Sequence, residues 1–303
     1  MEDLAATRFA VSPSWELVAS LILLRHPEKG GLHLPWMQKV APQLRGIELG
    51  LPLSLVSAKG YIPDFLTPPP AGPLTDIREE LDLVRATPRK QVNHELAQMD
   101  EPAEVRSLPA MVDLLQEYWD RALEPDWPRV RAFLQADIQH RARQLTEAGP
   151  ARLFSELHPN CVWHGDHLTV DMCYCADDVI LGGRGLLLVP SAFLWEKPKM
   201  IINEPWQPTL LYPARGIGTL WCEDCDSAGL ESLLGATRAR ILAAVVAPAS
   251  TTDLAQRLDL TPGGVSQHLK VLRGAGLVSA QRAGREVLYA RSETAEALLA
   301  GAA

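Results

Sequence analysis

The stretch that decides the C-terminal fold is "TPGGVSQHLKVLRGAGLV", which occupies residues 261–278. Thr261 is a suitable helix N-cap, because its hydroxyl can accept a hydrogen bond from a free backbone N–H of the first turn. Pro262 fits the first helical position, where the N–H has no partner within the helix. A glycine in the left-handed conformation, Gly274 or Gly276, can end the helix. The stretch therefore predicts one short helix with defined ends.

This helix, predicted over residues 262–273, has two chemically different faces. Apolar residues recur at i, i+4 and i+7, so they share one side and are expected to be buried. They are Val265, Leu269 and Leu272. The other side keeps hydrogen-bonding residues, namely Ser266, Gln267 and Lys270, with His268 near its border. A face of this composition does not suit a protein core.

The preceding residues predict another helix and a tight turn. "STTDLAQRL" (250–258) places Asp253 three residues after Ser250, the spacing of a capping box in which each side chain satisfies the other's backbone N–H. A short turn, "DLT", follows. Further upstream, "LESLLGATRARILAAVV" (230–246) predicts an amphipathic helix with a break at Gly235. Its inward side chains are expected to be Leu233, Leu234, Ile241, Leu242 and Val245.

The residues after the helix predict a β-hairpin. "LVSAQRAGREVLYA" (277–290) contains two β-rich runs around a turn with Arg282 and Arg285 at its tip. Two helices joined by a turn and followed by such a hairpin have the order of a winged helix-turn-helix domain, whose second helix enters the major groove of DNA. The hairpin, or wing (279–288), is expected to reach phosphates or the neighbouring minor groove.

The residue types of this domain match the chemistry of DNA. Gln267 suits a bidentate contact to adenine, and basic side chains suit phosphates. Gly263 and Gly264 either permit close approach to the DNA backbone or mark a loose first turn, and His268 either contacts DNA or packs under the helix. The predicted DNA-contacting residues are Thr261, Gly263, Gly264, Ser266, Gln267, His268, Lys270, Arg273, Arg282 and Arg285.

The charge distribution indicates an anionic partner for this end of the chain only. The net charge of the 303 residues is −8. Residues 230–303 nevertheless hold eight basic and six acidic residues, whereas the rest of the chain holds 21 basic and 31 acidic ones. A locally basic end on an acidic body is typical of a nucleic-acid-binding domain.

The remaining sequence predicts a separate domain. Residues 1–157 form its mainly helical part, including a buried helix at 14–24 and helices at 107–123 and 127–146, the last ended by Gly149. Residues 158–221 form a β-rich part with a hairpin at "HGDH", residues 222–229 are a linker, and residues 230–303 are the winged domain. The predicted fold class is α+β: a mainly helical N-terminal domain with a small antiparallel sheet, followed by a C-terminal winged helix-turn-helix domain.

The C-terminal segment resembles ArsR-type transcriptional regulators, above all in "VSQHLKVLRGAGLV" followed by "RAGREVLYA". "LHLPW" (32–36) and "PWQPTLLYPARG" (205–216) resemble the long N-terminal extension of an actinobacterial subset of these regulators. The resemblance implies a homodimer formed near 230–245 and 293–300, and a repressor that leaves its operator when an effector binds. The cysteines that metal-sensing members carry around the reading helix are absent from this sequence.

The cysteines allow two further hypotheses. Cys173 and Cys175 form a C-x-C, and Cys222 and Cys225 form a C-x-x-C. Two such pairs suit a tetrahedral zinc site, with the histidines of the "HGDH" turn nearby. The alternative is that all are reduced thiols acting as small hydrophobes. A redox switch at the C-x-x-C is disfavoured by its acidic neighbours, which raise thiol pKa values.

The sequence contains no G-x-S-x-G, no H-E-x-x-H and no phosphate-binding P-loop, so no enzyme is predicted. It has no apolar run long enough for a membrane span and no signal peptide, so a cytoplasmic location is expected. The primary hypothesis is a homodimeric repressor that reads an inverted-repeat operator and responds to an unidentified small-molecule effector. The alternative is a small-molecule binding protein or enzyme in residues 1–221, with a winged domain used for protein contacts.

Overall fold

The computed structural model describes residues 2–56, 60–100, 103–172, 178–194, 197–221, 227–245, 249–283 and 286–300. The chain divides into two compact units, Met1–Trp221 and Cys222–Ala303. Each unit has a hydrophobic core of its own. Within the described residues, no helix combines the length and the hydrophobicity that crossing a membrane requires.

The first unit is mainly helical. Its helices are α1 (Glu2–Ala5), α2 (Pro13–Arg25), α3 (Leu34–Val40), α4 (Gly50–Ser54), α5 (Ile77–Arg85), α6 (Arg89–Leu96), α7 (Leu108–Ala122) and α8 (Trp127–Ser155). Short 3-10 turns lie at Pro27–Lys29, Gly31–His33, Asp64–Leu66, Glu124–Asp126 and Ile217–Thr219. The main core of the unit combines side chains from α2, α5 and α7 with side chains from its sheet.

Helix α2 is the buried helix predicted at 14–24. Ser12 caps its N-terminus by accepting a hydrogen bond from the Trp15 N–H at 3.4 Å, and Pro13 takes the first helical position. Its residues are buried without interruption from Pro13 to Leu23. A helix that is apolar on nearly all sides is stable only inside a core, and this prediction is confirmed.

Helices α7 and α8 confirm the helices predicted at 107–123 and 127–146. In α8 the regular helix is interrupted at Gly149, which has φ +75° and ψ −178°. This conformation is open to glycine and strained for other residues, so the glycine ends the first part of the helix as predicted. Pro150 then begins the remaining turns, where its missing N–H is tolerated.

The described residues of the first unit form two sheets. Strands β2 (Cys161–Trp163) and β3 (Leu168–Val170) form the predicted antiparallel hairpin around "HGDH". The other sheet contains β1 (Arg8–Phe9), β4 (Leu187–Ser191), β5 (Lys199–Ile201) and β6 (Thr209–Pro213) in the order β1-β4-β6-β5. Only β5 is antiparallel to its neighbour there, since β1, β4 and β6 run parallel.

The parallel pairs correct the expectation of a purely antiparallel sheet at 158–221. Every residue of β4 is buried, as are the first four of β6. Strands covered on both faces have continuous apolar sequences and are typical of parallel sheets. The chain segment that contains β5 connects β4 to β6. The α+β class itself is confirmed.

The second unit consists of short helices and a three-stranded antiparallel sheet. Its elements are α9 (Ser227–Leu234), α10 (Ala236–Ala244), β7 (Ala249–Ser250), α11 (Thr251–Leu258), α12 (Pro262–Gly274), β8 (Val278–Ala283), β9 (Glu286–Arg291) and α13 (Glu293–Ala300). The strand order is β7-β9-β8. This is a helix-turn-helix domain followed by a β-hairpin wing, as predicted.

The predicted break at Gly235 is confirmed, and it corrects the expectation for Leu233. Gly235 has φ +82° and separates α9 from α10. Ile241 and Leu242 of α10 are fully buried and Leu234 is partly buried, but Leu233 is 69% exposed. The break changes the helical phase, so Leu233 does not share the inward face of α10.

Candidate nucleic-acid interface

Helix α11 begins with the predicted capping box. The Ser250 Oγ accepts a hydrogen bond from the Asp253 N–H at 3.2 Å, and the Asp253 carboxylate accepts one from the Ser250 N–H at 3.1 Å. The bond from the Ser250 backbone favours the ionised carboxylate and holds the pKa of Asp253 below its usual value. Two N–H groups that the helix leaves free are thus satisfied, and the start of α11 is fixed.

The turn between α11 and α12 is equally well defined. Asp259 adopts the left-handed conformation with φ 55° and ends α11. The Leu260 N–H donates to the Ala255 carbonyl oxygen at 2.9 Å. Thr261 then caps α12, because its Oγ1 accepts a hydrogen bond from the Gly264 N–H at 3.2 Å. The turn therefore sets the direction in which α12 leaves α11.

Helix α12 buries one face and exposes the other. Val265 and Leu269 are fully buried and Leu272 is 1% exposed. The predicted DNA-contacting residues lie elsewhere on the helix. Exposed to solvent are Thr261, Gly263, Ser266, Gln267, Lys270 and Arg273, while Gly264 and His268 are half-buried. The structure thus brings these side chains together on the outside of one capped helix, with His268 at the border of its face.

Gly276 is the glycine that ends α12. It has φ +72°, whereas Gly274 is still helical. The Leu277 N–H donates to the Leu272 carbonyl oxygen at 2.9 Å, and the Gly276 N–H donates to the Arg273 carbonyl oxygen at 3.0 Å. These two bonds form a Schellman motif, which satisfies the last carbonyl groups of the helix and turns the chain into β8.

The two glycines of the first turn have different surroundings. A Cβ added at Gly263 would meet nothing within 4 Å, so the chain's own packing does not require glycine there. A Cβ at Gly264 would lie 3.1 Å from the Thr261 Oγ1, the atom that caps the helix. Gly264 thus leaves room for the Thr261 side chain that caps the helix. Gly263 leaves the backbone uncovered on the exposed face.

The wing is a regular hairpin whose strand β9 also pairs with β7. Strands β8 and β9 pair over six positions, with Arg282 opposite Val287. Arg282 is exposed, and Arg285 lies outside the described residues. The register also pairs Ser250 with Leu288, which fixes β9 to the start of α11.

Comparison with known families gives two matches. A helix-turn-helix domain model matches residues 233–279, which include α10 to α12. The model of a family of unknown function, DUF5937, matches residues 67–218, just over half of the chain. The chain belongs to the DUF5937 family. No curated protein and no solved structure matches it.

The match at the C-terminus of this DUF5937 protein agrees with the geometry of its second unit. A helix-turn-helix domain is a DNA-binding fold, and here it carries a polar, exposed second helix. The DUF5937 protein is therefore a DNA-binding regulator in the general sense. The family that matches the first unit has no known function, so this match assigns no activity to the first unit.

Two arginines of the second unit serve its own fold, which sequence reasoning missed. The Arg291 Nε donates to the Leu242 carbonyl oxygen at 2.9 Å, and its Nη2 donates to the Ala243 carbonyl oxygen at 2.6 Å. The Arg240 Nη2 donates to the Leu258 carbonyl oxygen at 3.3 Å. Both side chains satisfy carbonyl groups at helix C-termini, where cations are favoured. Their charges are thus committed to the fold, and composition alone does not reveal this.

The zinc and redox hypotheses concern residues outside the described part of this DUF5937 protein. Cys173, Cys175, Cys222 and Cys225 all lie there. Within the described residues, no group of three or more His, Cys, Asp or Glu side chains is placed to hold a metal ion. Cys161 is a free thiol in the first unit, and burial raises its pKa to about 12.

Proposed function

We propose that this protein is an ArsR-type, homodimeric transcriptional repressor that reads an inverted-repeat operator with α12 and the β8–β9 wing. One observation carries the proposal. The polar face of α12 is open to solvent while its opposite face is fully buried, so the helix is held rigidly with its hydrogen-bonding side chains outward. A rigid, exposed second helix is the element that helix-turn-helix proteins insert into the major groove.

The proposed contacts divide into two classes. Gln267, near the middle of the exposed face, reads an adenine through its N6 and N7 groups, and Ser266 and His268 add contacts at the edges of that face. Phosphates are contacted by basic side chains and by the first turn of the helix. The proposed phosphate-contacting residues are Thr261, Gly263, Gly264, Lys270, Arg273, Arg282 and Arg285.

The homodimer is proposed to form around α9, α10 and α13, near residues 230–245 and 293–300. Leu233 supports this arrangement, since it is a large apolar side chain that is 69% exposed on α9. A two-fold axis through this region presents two copies of α12 to successive major grooves, about 34–36 Å apart. The operator is then expected to be an inverted repeat with that half-site spacing.

The first unit is proposed to receive a small-molecule signal in the cytoplasm. Its interior holds an aromatic cluster in which His33 stacks on Phe193 at 5.0 Å and accepts a hydrogen bond from the Trp221 Nε1 at 2.8 Å. Burial lowers the pKa of His33 to about 4, so the ring is neutral near pH 7. Trp221 is the last residue of the first unit. A ligand that disturbs this cluster would therefore act on the residue next to the linker.

A genomic pull-down tests the DNA-binding proposal directly. Sheared genomic DNA from the source organism is incubated with the full-length protein, and the bound fragments are sequenced, with the promoter region of the protein's own gene as the first candidate. Enrichment of fragments that share an inverted repeat is expected. Capture of no DNA above a bead control would contradict the proposal. It would favour the alternative, a small-molecule binding protein or enzyme in residues 1–221.

A further inference from the structure

An apolar side chain lies on the face of α12 that is otherwise polar. Val271 is 51% exposed, although neighbouring apolar positions of the helix are buried. Single exposed valines are common, so exposure alone carries no conclusion. The position of Val271 is informative, because it follows Gln267 by four residues and therefore shares its face of the helix.

The shape of this face makes Gln267 and Val271 project. Gly263 precedes Gln267 by four residues, and Gly274 follows Val271 by three. A Cβ added at either glycine would meet nothing within 4 Å. No side chain therefore rises from the helix surface at the two ends of this face. The Cα atoms of Gln267 and Val271 are separated by about 6 Å along the helix axis, given a rise of about 1.5 Å per residue.

The charge around Val271 favours DNA over a protein as the group that covers it. Lys270 and Arg273 flank it and are exposed, and residues 260–285 contain no Asp or Glu. Such a surface attracts a polyanion. In the major groove, the apolar group that a side chain can contact is the 5-methyl group of thymine.

We infer that Val271 is a specificity-determining residue whose side chain packs against a thymine 5-methyl group, one or two base pairs from the adenine read by Gln267. This inference rests on the proposed function and deepens it, because it names A·T pairs as the bases that the centre of α12 recognises. The separation of about 6 Å fits this spacing, since successive base pairs lie about 3.4 Å apart.

Replacing thymidine by deoxyuridine tests the inference, because it removes the methyl group and leaves the base pair intact. The full-length protein first selects its operator from a random duplex pool. Each thymidine of that operator is then replaced in turn by deoxyuridine, and the affinity is measured for wild type and Val271→Ala. Wild type is expected to lose about fourfold in affinity per contacted methyl group at one position of each half-site. Val271→Ala is expected to lose this dependence at that position only.

Val162→Ala is the matched control, since Val162 is 48% exposed on β2 of the first unit. It is expected to keep the wild-type deoxyuridine profile. If Val271→Ala also keeps that profile, or if no thymidine of the operator depends on its methyl group, the inference is wrong while the proposed function stands. If wild type selects no duplex from the pool, the proposed function fails and the inference fails with it.

Discussion

The guanidinium of Arg291 donates a hydrogen bond to the backbone carbonyl oxygen of Leu242, near the C-terminal end of α10, at 2.9 Å from the arginine Nε. This contact joins the wing strand β9 to the end of α10, across 49 residues of sequence. Arg273 and Arg282, by contrast, are exposed. The arginines of the second unit therefore have two different tasks. Some hold the domain together, and others are left on its surface.

Paired arginine variants separate these two tasks. Arg291→Ala is expected to lower the free energy of unfolding of the second unit by about 1.5–3 kcal/mol, because it leaves helix carbonyl groups without a charged donor. Arg273→Ala, on the exposed side of α12, is expected to change the stability by less than about 1 kcal/mol and to weaken DNA binding. Thermal or denaturant unfolding and operator binding measure both effects. Equal destabilisation by the two variants would contradict the assignment.

The salt dependence of DNA binding tests the wing. Arg282→Ala is expected to weaken binding to all duplexes alike and to reduce the slope of log K against log salt by about one per wing. Arg285 is expected to behave in the same way. Arg78→Ala, an equal change of charge at an exposed position of α5, serves as the control and is expected to leave the slope unchanged. An unaltered slope for Arg282→Ala would place the wing away from the phosphates.

Gly263→Ala distinguishes the two explanations of the glycine pair. The added methyl group has no clash within the chain, so the second unit is expected to gain about 0.4–1 kcal/mol of stability. If α12 approaches the DNA backbone closely, the same methyl group is expected to weaken operator binding. A more stable variant with undiminished affinity would show instead that the glycine only loosens the first turn.

The pH dependence of stability tests two buried carboxyl groups of the first unit. The Glu16 carboxylate accepts a hydrogen bond from the Ala192 N–H at 3.0 Å, and the Glu80 carboxylate accepts one from the Ser14 N–H at 2.7 Å. Burial raises the pKa of each to about 7. A raised pKa means that the folded state binds protons more tightly, so this contribution is full below about pH 4.5 and is lost as the pH rises through 7.

The first unit is therefore expected to lose stability as the pH rises from about 4.5 to about 7, by an amount on the order of 3 kcal/mol per carboxyl group. Glu16→Gln should flatten this slope, whereas Glu48→Gln, at an exposed position, should not. His33 opposes the trend in acid, because its lowered pKa makes the fold lose stability as the pH falls below about 6.5. Unfolding curves at several pH values measure the slope. A slope that Glu16→Gln leaves unchanged would contradict the role of this carboxyl group.

The elements that local signals specify could be predicted from the sequence. The capping box at Ser250, the Thr261 cap and the buried stripe of α12 each depend on residues within about two helical turns, and the structure confirms them. A glycine cap was predicted for the end of α12, with Gly274 and Gly276 as alternatives, and the structure selects Gly276.

The features that depend on distant partners could not be predicted. Strand β1 pairs with β4 through Arg8 and Leu187, which are far apart in the sequence. No local sequence pattern indicates a strand of only two residues. The hydrogen bond from the Ser14 N–H to the Glu80 carboxylate spans 66 residues, so the burial of this carboxylate could not be predicted either. In the site, the exposure of Val271 was not predicted, although its spacing of four residues from Gln267 places it on the same face of α12.

The most direct test of the central claim concerns the major-groove edge of adenine. Each adenine of the selected operator is replaced by 7-deazaadenine, which lacks the N7 acceptor, and the affinities of wild type and Gln267→Ala are compared. Wild type is expected to lose about five- to tenfold in affinity at one adenine of each half-site, the cost of one hydrogen bond. Gln267→Ala, whose sequence preference is relaxed there, should show no loss at that position. Equal losses in both proteins, or no loss at any adenine, would contradict the claim that α12 reads DNA through Gln267.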